Sequence, residues 1–227
     1  MNEVSVVLTA CNRADLLDQT LETFFQKNTY PLEKFLIIED GLNVGCNDSV
    51  VEKYKNEINI EVIYNKVKLS QIRSIDLAYS KIETPYIFHM EEDWKFLQKD
   101  FIQKSMEIME TDENIITVWL RSPKDTTLPH PYSDETFSTE SGLEYKKCKV
   151  LYPHGLWNGF TLNPSLKRKV DYDLIKPYQQ LPKITPIQQS GGNPLECDIS
   201  VAYAKLGYYA VTLLDQHIEH IGWDRHI

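Results

Sequence analysis

The chain has 227 residues, of which 42% are hydrophobic, and its formal net charge is -9 at pH 7. A chain of this length can bury a substantial core, which indicates one domain or one domain with a large appendage. The acidic balance argues against nonspecific nucleic-acid binding, because that activity needs a basic face to neutralise phosphates.

The four cysteines are widely scattered and form no C-x-x-C pair, so the sequence indicates neither a zinc knuckle nor a disulfide scaffold. A reducing compartment fits this cysteine usage, and we expect a cytoplasmic location. No charged-then-apolar leader opens the chain, and no apolar run approaches the roughly 20 residues that span a bilayer. Any membrane association would have to come through a partner or through a segment outside this chain, so peripheral membrane contact is possible.

In the first half of the chain, short apolar runs alternate with amphipathic stretches, which is the pattern of a parallel sheet flanked by helices. Apolar runs predict four strands, at Val4–Ala10, Lys34–Gly41, 58–65 and Pro85–Met90. The segments between them predict helices at 13–26, 47–56 and 69–82. Asn12 is the predicted N-cap of the first helix, and Ser70 begins the third.

The predicted strands should end together. Because the crossovers between parallel strands are right-handed, we expect Asn12, Asp40 and Glu91 to emerge at one edge of the sheet. Ligands of open α/β sheets bind at that carboxyl edge.

The second half of the chain is less regular. A helix is predicted at 100–112 and a strand at Asn114–Arg121, followed by a long polar loop at 122–142. The stretch 157–166 predicts a short strand that ends at an Asn-Pro pair. A long loop rich in Gln, Pro and Gly comes next, and loops of that length in compact domains are usually functional or mobile. The last predicted elements are a helix at 196–207 that Gly207 stops, a strand at 208–214 and a His-rich tail.

Three consecutive carboxylates, Glu91, Glu92 and Asp93, directly follow the apolar run YIFHM. Because adjacent carboxylates repel one another, we expect either a solvated acidic turn or neutralisation by a cation that the sequence does not contain. In an extended backbone Glu91 and Asp93 point the same way, and such a pair of hard oxygen ligands suits Mg²⁺ or Mn²⁺. Neither G-x-G-x-x-G nor G-x-x-x-x-G-K-[ST] occurs, which argues against dinucleotide dehydrogenases and P-loop NTPases.

Four stretches together resemble the ordered landmarks of GT-A glycosyltransferases, especially the inverting family 2: SVVLTACNR, FLIIEDG, LSQIRSIDLAYSKIETPYIFHMEEDW and LECDISVAYAKLGYYAV. The resemblance spans the chain from about Glu3 to the tail. It implies an α/β fold of the GT-A (Rossmann-like) type, with a mostly parallel central sheet flanked by helices. It also implies a single domain over 1–227, with a nucleotide-binding half at 1–95 and an acceptor-binding half at 96–227.

The resemblance assigns several residues to the nucleotide. The loop after the first strand would receive the nucleobase and ribose through Thr9, Cys11, Asn12 and Arg13. Cys11 stands where the family usually has a tyrosine. Asp40 matches an acid that contacts uracil in uridine-dependent members, and its alternative is a surface-turn acid. Arg73 matches an arginine near the pyrophosphate, and its alternative is a solvated helix cation.

The metal and the reaction centre are likewise assigned by resemblance. EED takes the place of the D-x-D motif, with Asp93 as the direct ligand of Mn²⁺ or Mg²⁺ and Glu91 or Glu92 near the ribose or a metal-bound water. A late histidine completes this site in several GT-A enzymes, and HIG favours His220 over His217.

The catalytic base and the sugar pocket lie in the second half of the chain by the same resemblance. Glu196 aligns with the catalytic base, although Leu195 replaces the usual glutamate before it, so Asp198 is a rival. Trp157 would stack on the sugar and Asn158 would bind its hydroxyls; a plain core tryptophan is the alternative.

The resulting hypothesis is a metal-dependent inverting glycosyltransferase of the hexosyl- or deoxyhexosyltransferase type. It would move a sugar from a nucleoside-diphosphate sugar, with UDP favoured, to a hydroxyl of a glycan or glycoconjugate, as in polysaccharide biosynthesis. One alternative is a sugar nucleotidyltransferase, which also holds metal with paired carboxylates. The other is a non-catalytic nucleotide-sugar-binding domain.

Overall fold

The structure is a computed structural model that describes residues 3–122, 132–149, 158–184 and 194–225. Its first half alternates strands and helices in the order β1 (Val4–Ala10), α1 (Ala14–Lys27), β2 (Lys34–Glu39), α2 (Asp48–Lys53), β3 (Ile60–Tyr64), α3 (Gln71–Tyr79) and β4 (Tyr86–Glu91). The second half continues with β5 (Trp94–Phe96), α4 (Phe101–Thr111), β6 (Ile115–Trp119), β7 (Phe137–Ser138), β8 (Glu144–Lys147), β9 (Ser165–Arg168), α5 (Lys169–Ile175), a 3₁₀ helix (Tyr178–Gln180), α6 (Pro194–Lys205), β10 (Tyr209–Leu213) and β11 (Ile218–His220).

A five-stranded sheet organises the fold, in the order β3-β2-β1-β4-β9. The first four strands are parallel to one another, and β9 pairs antiparallel with β4. The last strand of this sheet therefore comes from the second half of the chain. Because the carboxyl ends of β1, β2 and β4 share one edge, the loops that follow them meet there.

Two smaller sheets complete the fold. One contains β6, β10, β8 and β7 in that order, and the other pairs β11 with β5. The β11–β5 pair sets His220 opposite Trp94, directly after the acidic triplet. This pairing brings the tail of the chain to the edge where β4 ends.

Hydrophobic residues cover both faces of the central sheet. All seven residues of β1 are buried, as expected for a strand covered on both sides. On one face Phe24 of α1 packs against five other phenylalanine rings at centroid distances of 5.2 to 6.1 Å. Such ring pairs contribute about 0.5–1.5 kcal/mol each beyond the area they bury. On the other face Tyr79, Tyr172, Tyr178 and Tyr203 form an aromatic cluster.

The sequence predicted the elements of the first half and misplaced several in the second. Asn12 is not the N-cap of α1; Arg13 occupies that position, and Asn12 has a left-handed backbone with φ 56°. The strand expected before the Asn-Pro pair in fact follows it, as β9. Strands β7 and β8 and helix α5 were not predicted.

Two other predictions concerned disulfide bonds and membrane-spanning segments. All four cysteines are free, as their spacing predicted. Within the described ranges, no helix has the length and apolarity to cross a membrane.

Candidate active site

A cavity of about 570 Å³ opens at the carboxyl edge of the central sheet. One part of the cavity wall is formed by residues at or just after the ends of β1 and β2, which were predicted to bind the nucleotide: Thr9, Cys11, Arg13 and Asp40. The triplet Glu91, Glu92 and Asp93 lines another part together with His220. The expectation that Asp40 and Glu91 meet at one edge is therefore confirmed.

Several residues of the cavity wall were missed by sequence reasoning. Lys68 comes from the segment between β3 and α3, Gln71 begins α3, and Arg121, Asn163 and Trp223 come from the second half. Lys68 and Arg121 follow strand-like runs, so their position after a strand was the available signal. Asn163 and Trp223 lie in irregular segments that carry no such signal.

Asp40 is held entirely by neutral donors. Its Oδ1 accepts hydrogen bonds from Asn65 Nδ2 at 2.8 Å and from the Leu69 amide at 2.7 Å. Its Oδ2 accepts one from the Ser70 amide at 2.8 Å. Asp40 is only 6% exposed, so these donors take the place of its hydration. The carboxylate thereby fixes the loop that carries Lys68 and Gln71.

A second acid, Glu39, organises the loop after β1 and was also missed. Its Oε1 accepts hydrogen bonds from the Asn12 amide at 2.9 Å and the Gly41 amide at 2.6 Å, while Asn47 donates to its Oε2 at 2.8 Å. The Asn12 side chain donates to the Gly41 carbonyl, and a Cβ at Gly41 would lie 2.3 Å from Asn12 Cγ. Asn12 therefore packs on the end of β2, where it supports the loop after β1 without lining the cavity itself.

Glu92 and Asp93 are neutralised by a residue of the chain itself. Arg13 Nε lies 2.8 Å from Glu92 Oε1, and Arg13 Nη1 lies 2.9 Å from Asp93 Oδ2. The chain itself thus supplies one cation that is shared by two of the three acids, a pairing that the sequence did not predict. Glu92 Oε1 also accepts the Cys11 amide at 2.9 Å, which ties the triplet to the end of β1.

Asp93 is surrounded by cationic and backbone partners. Its Oδ2 lies 3.3 Å from His220 Nε2 as well as close to Arg13. Burial opposes ionisation, but the hydrogen bond from His220 and the charge of Arg13 together lower the pKa of Asp93. The Ile221 amide donates to the Asp93 carbonyl at 2.9 Å, and a Cβ at Gly222 would lie 2.5 Å from Asp93 Oδ2. A side chain at position 222 would therefore require Asp93 or the tail to move.

Glu91 stands in a different environment. Gln71 Nε2 donates to its Oε1 at 2.5 Å and Trp94 Nε1 donates to its Oε2 at 3.1 Å. Burial, with the neighbouring Asp93 carboxylate, raises the pKa of Glu91 to about 8. The triplet is therefore divided into one acid bound by neutral donors and two bound by Arg13.

The two candidate histidines differ in what they contact. His220 lies beside Asp93, with its ring 4.9 Å from Trp94 and 4.6 Å from Trp223. His217 is 1% exposed, and its Nε2 lies 3.1 Å from Lys104 Nζ. Of the two, only His220 is in the cavity wall.

Asp93 and His220 suit a divalent ion that a bound phosphate would complete. Across the described part of the chain, no three His, Cys, Asp or Glu side chains are grouped closely enough to hold a metal by themselves. Mg²⁺ and Mn²⁺ commonly use one or two protein ligands, and adjacent ligands about 2.1 Å from such an ion lie about 3.0 Å apart. Asp93 Oδ2 and His220 Nε2 lie 3.3 Å apart in direct contact, so both would have to exchange their mutual hydrogen bond for bonds to the ion.

Arg73 is not brought to this cavity. It is exposed on α3 and lines a second cavity of about 690 Å³ with Asp76, Lys169 and Lys176. The guanidinium groups in the wall of the first cavity belong to Arg13 and Arg121.

The predicted base and its rival both start α6 but point to different segments. Glu196 Oε1 accepts the Leu162 amide at 2.6 Å, next to Asn163 in the cavity wall. Burial raises the pKa of Glu196, and its charge in turn contributes to the raised pKa of Glu91. Asp198 is 5% exposed and accepts the Ile184 amide at 3.1 Å.

The two residues predicted for the sugar pocket have different outcomes. The Asn158 amide donates to Ser200 Oγ of α6 at 2.7 Å, and Asn158 is not part of the cavity wall. Trp157 lies outside the described residues.

Several solved structures of proteins in complex with nucleotides or nucleotide sugars are similar to this chain. S. aureus TarS 1-349 in complex with UDP-GlcNAc has a TM-score of 0.63 at 14% identity, covering 99% of this chain and 62% of that chain. The mannosyltransferase PcManGT from Pyrobaculum calidifontis, in complex with GDP-Man and Mn²⁺, has 0.61 at 10% identity, covering 94% and 54%. GalNAc-T7 with UDP, GalNAc and Mn²⁺ has 0.62 at 12% identity, covering 97% and 43%.

The similar structures show the fold of this chain, and a match to a family model shows the family to which it belongs. The chain spans less than two thirds of the length of those three structures. No curated protein sequence matches the chain significantly. The fold is the GT-A fold that the order of the landmarks indicated. The model of glycosyl transferase family 2 matches residues 5–175, and the chain therefore belongs to that family.

Proposed function

We propose that the protein transfers a sugar from a nucleoside-diphosphate sugar to a hydroxyl of a glycan or glycoconjugate, with inversion and with the help of Mn²⁺ or Mg²⁺. The observation that carries the proposal is the cavity at the carboxyl edge of the central sheet, where Asp93 and His220 stand 3.3 Å apart. Family membership and the nucleotide-sugar complexes of the similar structures support it. UDP is the favoured nucleotide.

The donor would lie across the strand ends, with its nucleoside toward Thr9, Cys11 and Asp40 and its diphosphate toward Asp93. Lys68 and Arg121 also line the cavity, so cationic side chains are available to an anionic ligand in a chain of net charge -9. A bound divalent ion would neutralise negative charge on the departing diphosphate. Asp93 and His220 would hold that ion; Arg73 lines the other cavity and has no role in this proposal.

Glu196 is the proposed general base. The acceptor oxygen would attack the anomeric carbon as the bond from that carbon to the diphosphate breaks, and Glu196 would take the hydroxyl proton. One observation favours Glu196 over Asp198: Glu196 accepts the Leu162 amide directly beside Asn163 of the cavity wall, although Glu196 itself does not line the cavity. In this proposal residues 1–95 bind the nucleotide, and 96–227 bind the acceptor while also contributing His220.

A donor screen followed by product analysis tests the proposal. UDP-, GDP-, CMP- and dTDP-sugars, each with and without Mn²⁺, should be ranked by thermal shift, because a ligand that binds only the native state raises the unfolding temperature. The best donor should then release nucleoside diphosphate in a chelator-sensitive reaction. Pyrophosphate as the product would favour a nucleotidyltransferase, and tight binding without turnover across an acceptor panel would favour a non-catalytic domain.

A matched pair of variants tests the base. Glu196→Gln should lower transfer by about 10²–10⁴-fold, since a general base contributes that much, and leave donor affinity unchanged. Asp198→Asn is the control and should retain most of the transfer rate. The reverse order of effects would assign the base to Asp198.

A further inference from the structure

Arg13 forms a buried bridge between two carboxylates of the triplet. Its side chain is 12% exposed, and those of Glu92 and Asp93 are 4% and 7% exposed. Besides its two ion pairs, Arg13 Nη1 donates to the Arg225 carbonyl at 3.1 Å. An arginine keeps its charge at all ordinary pH values, so this bridge is a permanent internal cation.

The bridge uses the same oxygen that the proposed metal site requires. Arg13 Nη1 is 2.9 Å from Asp93 Oδ2, and His220 Nε2 is 3.3 Å from that oxygen. A divalent ion between Asp93 and His220 would lie close to the guanidinium group, where two positive charges repel strongly in a partly buried setting. Arg13 and a metal ion therefore compete for Asp93.

The carboxylate at the Nε end of the bridge has contacts besides Arg13. Glu92 Oε1 also accepts the Cys11 amide at 2.9 Å, and Thr20 Oγ1 donates to the Glu92 carbonyl at 2.7 Å. These contacts anchor the Nε side of Arg13 to the sheet. Release of Nη1 from Asp93 requires the planar guanidinium group to turn as one unit, and Arg13 already lines the cavity.

We propose that Arg13 is a built-in counter-cation that keeps the divalent ion out of the free protein and makes its entry depend on the diphosphate. This inference rests on the proposed function. A diphosphate brings several negative charges, which offset the repulsion between the ion and Arg13. The released Nη1 then donates to a phosphate oxygen, a pairing that suits the planar guanidinium group. Arg13 is thus a positioning residue that couples metal binding to donor binding.

The test measures Mn²⁺ binding in the absence of nucleotide. Binding is monitored as the loss of the free-ion signal in electron paramagnetic resonance. Arg13→Gln should bind Mn²⁺ at least about tenfold more tightly than the wild-type protein, because the competing charge is gone. Addition of UDP or GDP should tighten Mn²⁺ binding by about tenfold or more in the wild type and by much less in the variant. An unchanged or weaker affinity of Arg13→Gln for Mn²⁺ alone would overturn the proposal.

Three further variants make the result specific. Arg225→Ala removes an equal charge from the pair that Arg225 forms with Asp15, so its Mn²⁺ affinity should stay within about twofold of wild type. The double variant Arg13→Gln/Asp93→Asn should lose the added affinity, and its retention there would overturn the proposal. If Arg13→Gln does not fold, Arg13→Met is measured instead; it removes the charge and keeps an unbranched side chain, and a Mn²⁺ affinity equal to that of the wild type would contradict the proposal.

The failure of this inference can be distinguished from the failure of the proposed function. Mn²⁺ that binds at Asp93 with equal affinity in wild type and Arg13→Gln overturns the role of Arg13 alone. Absence of Mn²⁺ binding in every variant, with UDP and with GDP, overturns the metal-dependent function and this inference together.

Discussion

Asp40 and Asp93 are buried to nearly the same degree in one cavity, at 6% and 5% exposure, yet their surroundings differ in kind. Asp40 is bound by one side-chain amide and two backbone amides, all of them neutral. Asp93 is bound by a guanidinium group and an imidazole. A carboxylate that is held mainly by neutral backbone donors stabilises the fold. A carboxylate that is paired with a cation can exchange that cation for another one. Burial alone would not have distinguished the two acids.

The largest expected effect comes from removing the charge of Asp93. Asp93→Asn should lower donor turnover by about 10³-fold, because charge stabilisation by a metal ion contributes several kcal/mol. Release of nucleoside diphosphate measures the turnover, and thermal unfolding should change by only a few degrees. Turnover near the wild-type rate would contradict the exchangeable role of Asp93.

Asp40→Asn should show the opposite balance, with the loss in stability. Three donors point at the Asp40 carboxylate, and an amide offers them only one oxygen, so at least one buried donor loses its partner. The free energy of unfolding should fall by about 1–3 kcal/mol, measured by urea denaturation. Glu57→Gln, at an exposed carboxylate, is the control and should leave stability unchanged. Equal stability losses in Asp40→Asn and Asp93→Asn would remove the distinction between the two acids.

Gly222→Ala tests whether the position of Asp93 matters as much as its charge. The added Cβ would meet Asp93 Oδ2 at 2.5 Å, so the carboxylate or the tail must move. A displacement of that kind should reduce turnover by about 10²-fold. Gly142→Ala is the control: Gly142 has φ +87° and open space around it, so alanine there should lower stability but not turnover. A fully active Gly222→Ala would show that the site tolerates a shifted Asp93.

The smallest effect concerns His89, a titratable group of β4 that has no polar partner. Neither of its ring nitrogens has a hydrogen-bond partner among the described residues, and burial lowers the pKa of His89 to about 3. Because the folded pKa lies below the unfolded value of about 6.5, the contribution of His89 to stability is present above pH 6.5 and is lost as pH falls.

Replacing His89 should flatten this dependence on pH. Between pH 6.5 and 5 the wild type should lose up to about 2 kcal/mol more of its unfolding free energy than His89→Leu does. Urea denaturation at the two pH values measures the difference. Parallel losses in the two proteins would contradict the assignment.

The first half of the fold could be predicted because its strands are buried on both faces. Such strands are continuous apolar runs, and β1 was predicted at Val4–Ala10, the residues that form it. Strands β8 and β9 carry charged residues and show no such run. Lys147 Nζ lies 4.1 Å from the centre of the Tyr209 ring and Lys167 Nζ lies 4.4 Å from that of Phe160. The chain supplies those aromatic partners from elsewhere in the sequence, so local patterns cannot reveal them.

The sequence predicted the residues of the candidate site better than it predicted the contacts between them. The acids after β2 and β4 were visible as charge at the ends of apolar runs. The contact of Arg13 with Glu92 joins residues 79 positions apart, and the contacts of Asp40 with the loop before α3 depend on backbone amides that every sequence has. Arg13 was therefore expected near the nucleotide, and its contact with the acidic triplet appeared only in the structure.

The tail that closes over Asp93 also affects the order of folding. Arg13 contacts the Arg225 carbonyl across 212 residues of sequence, and Arg225 contacts Asp15 across 210. Closing so long a loop has an entropic cost that is offset only when the intervening chain is already compact, and distant contacts slow folding. We therefore expect the acidic edge to be completed late, after the central sheet has formed. A partly folded chain would lack both the His220 partner of Asp93 and the tail that packs against it, and would have little affinity for a donor.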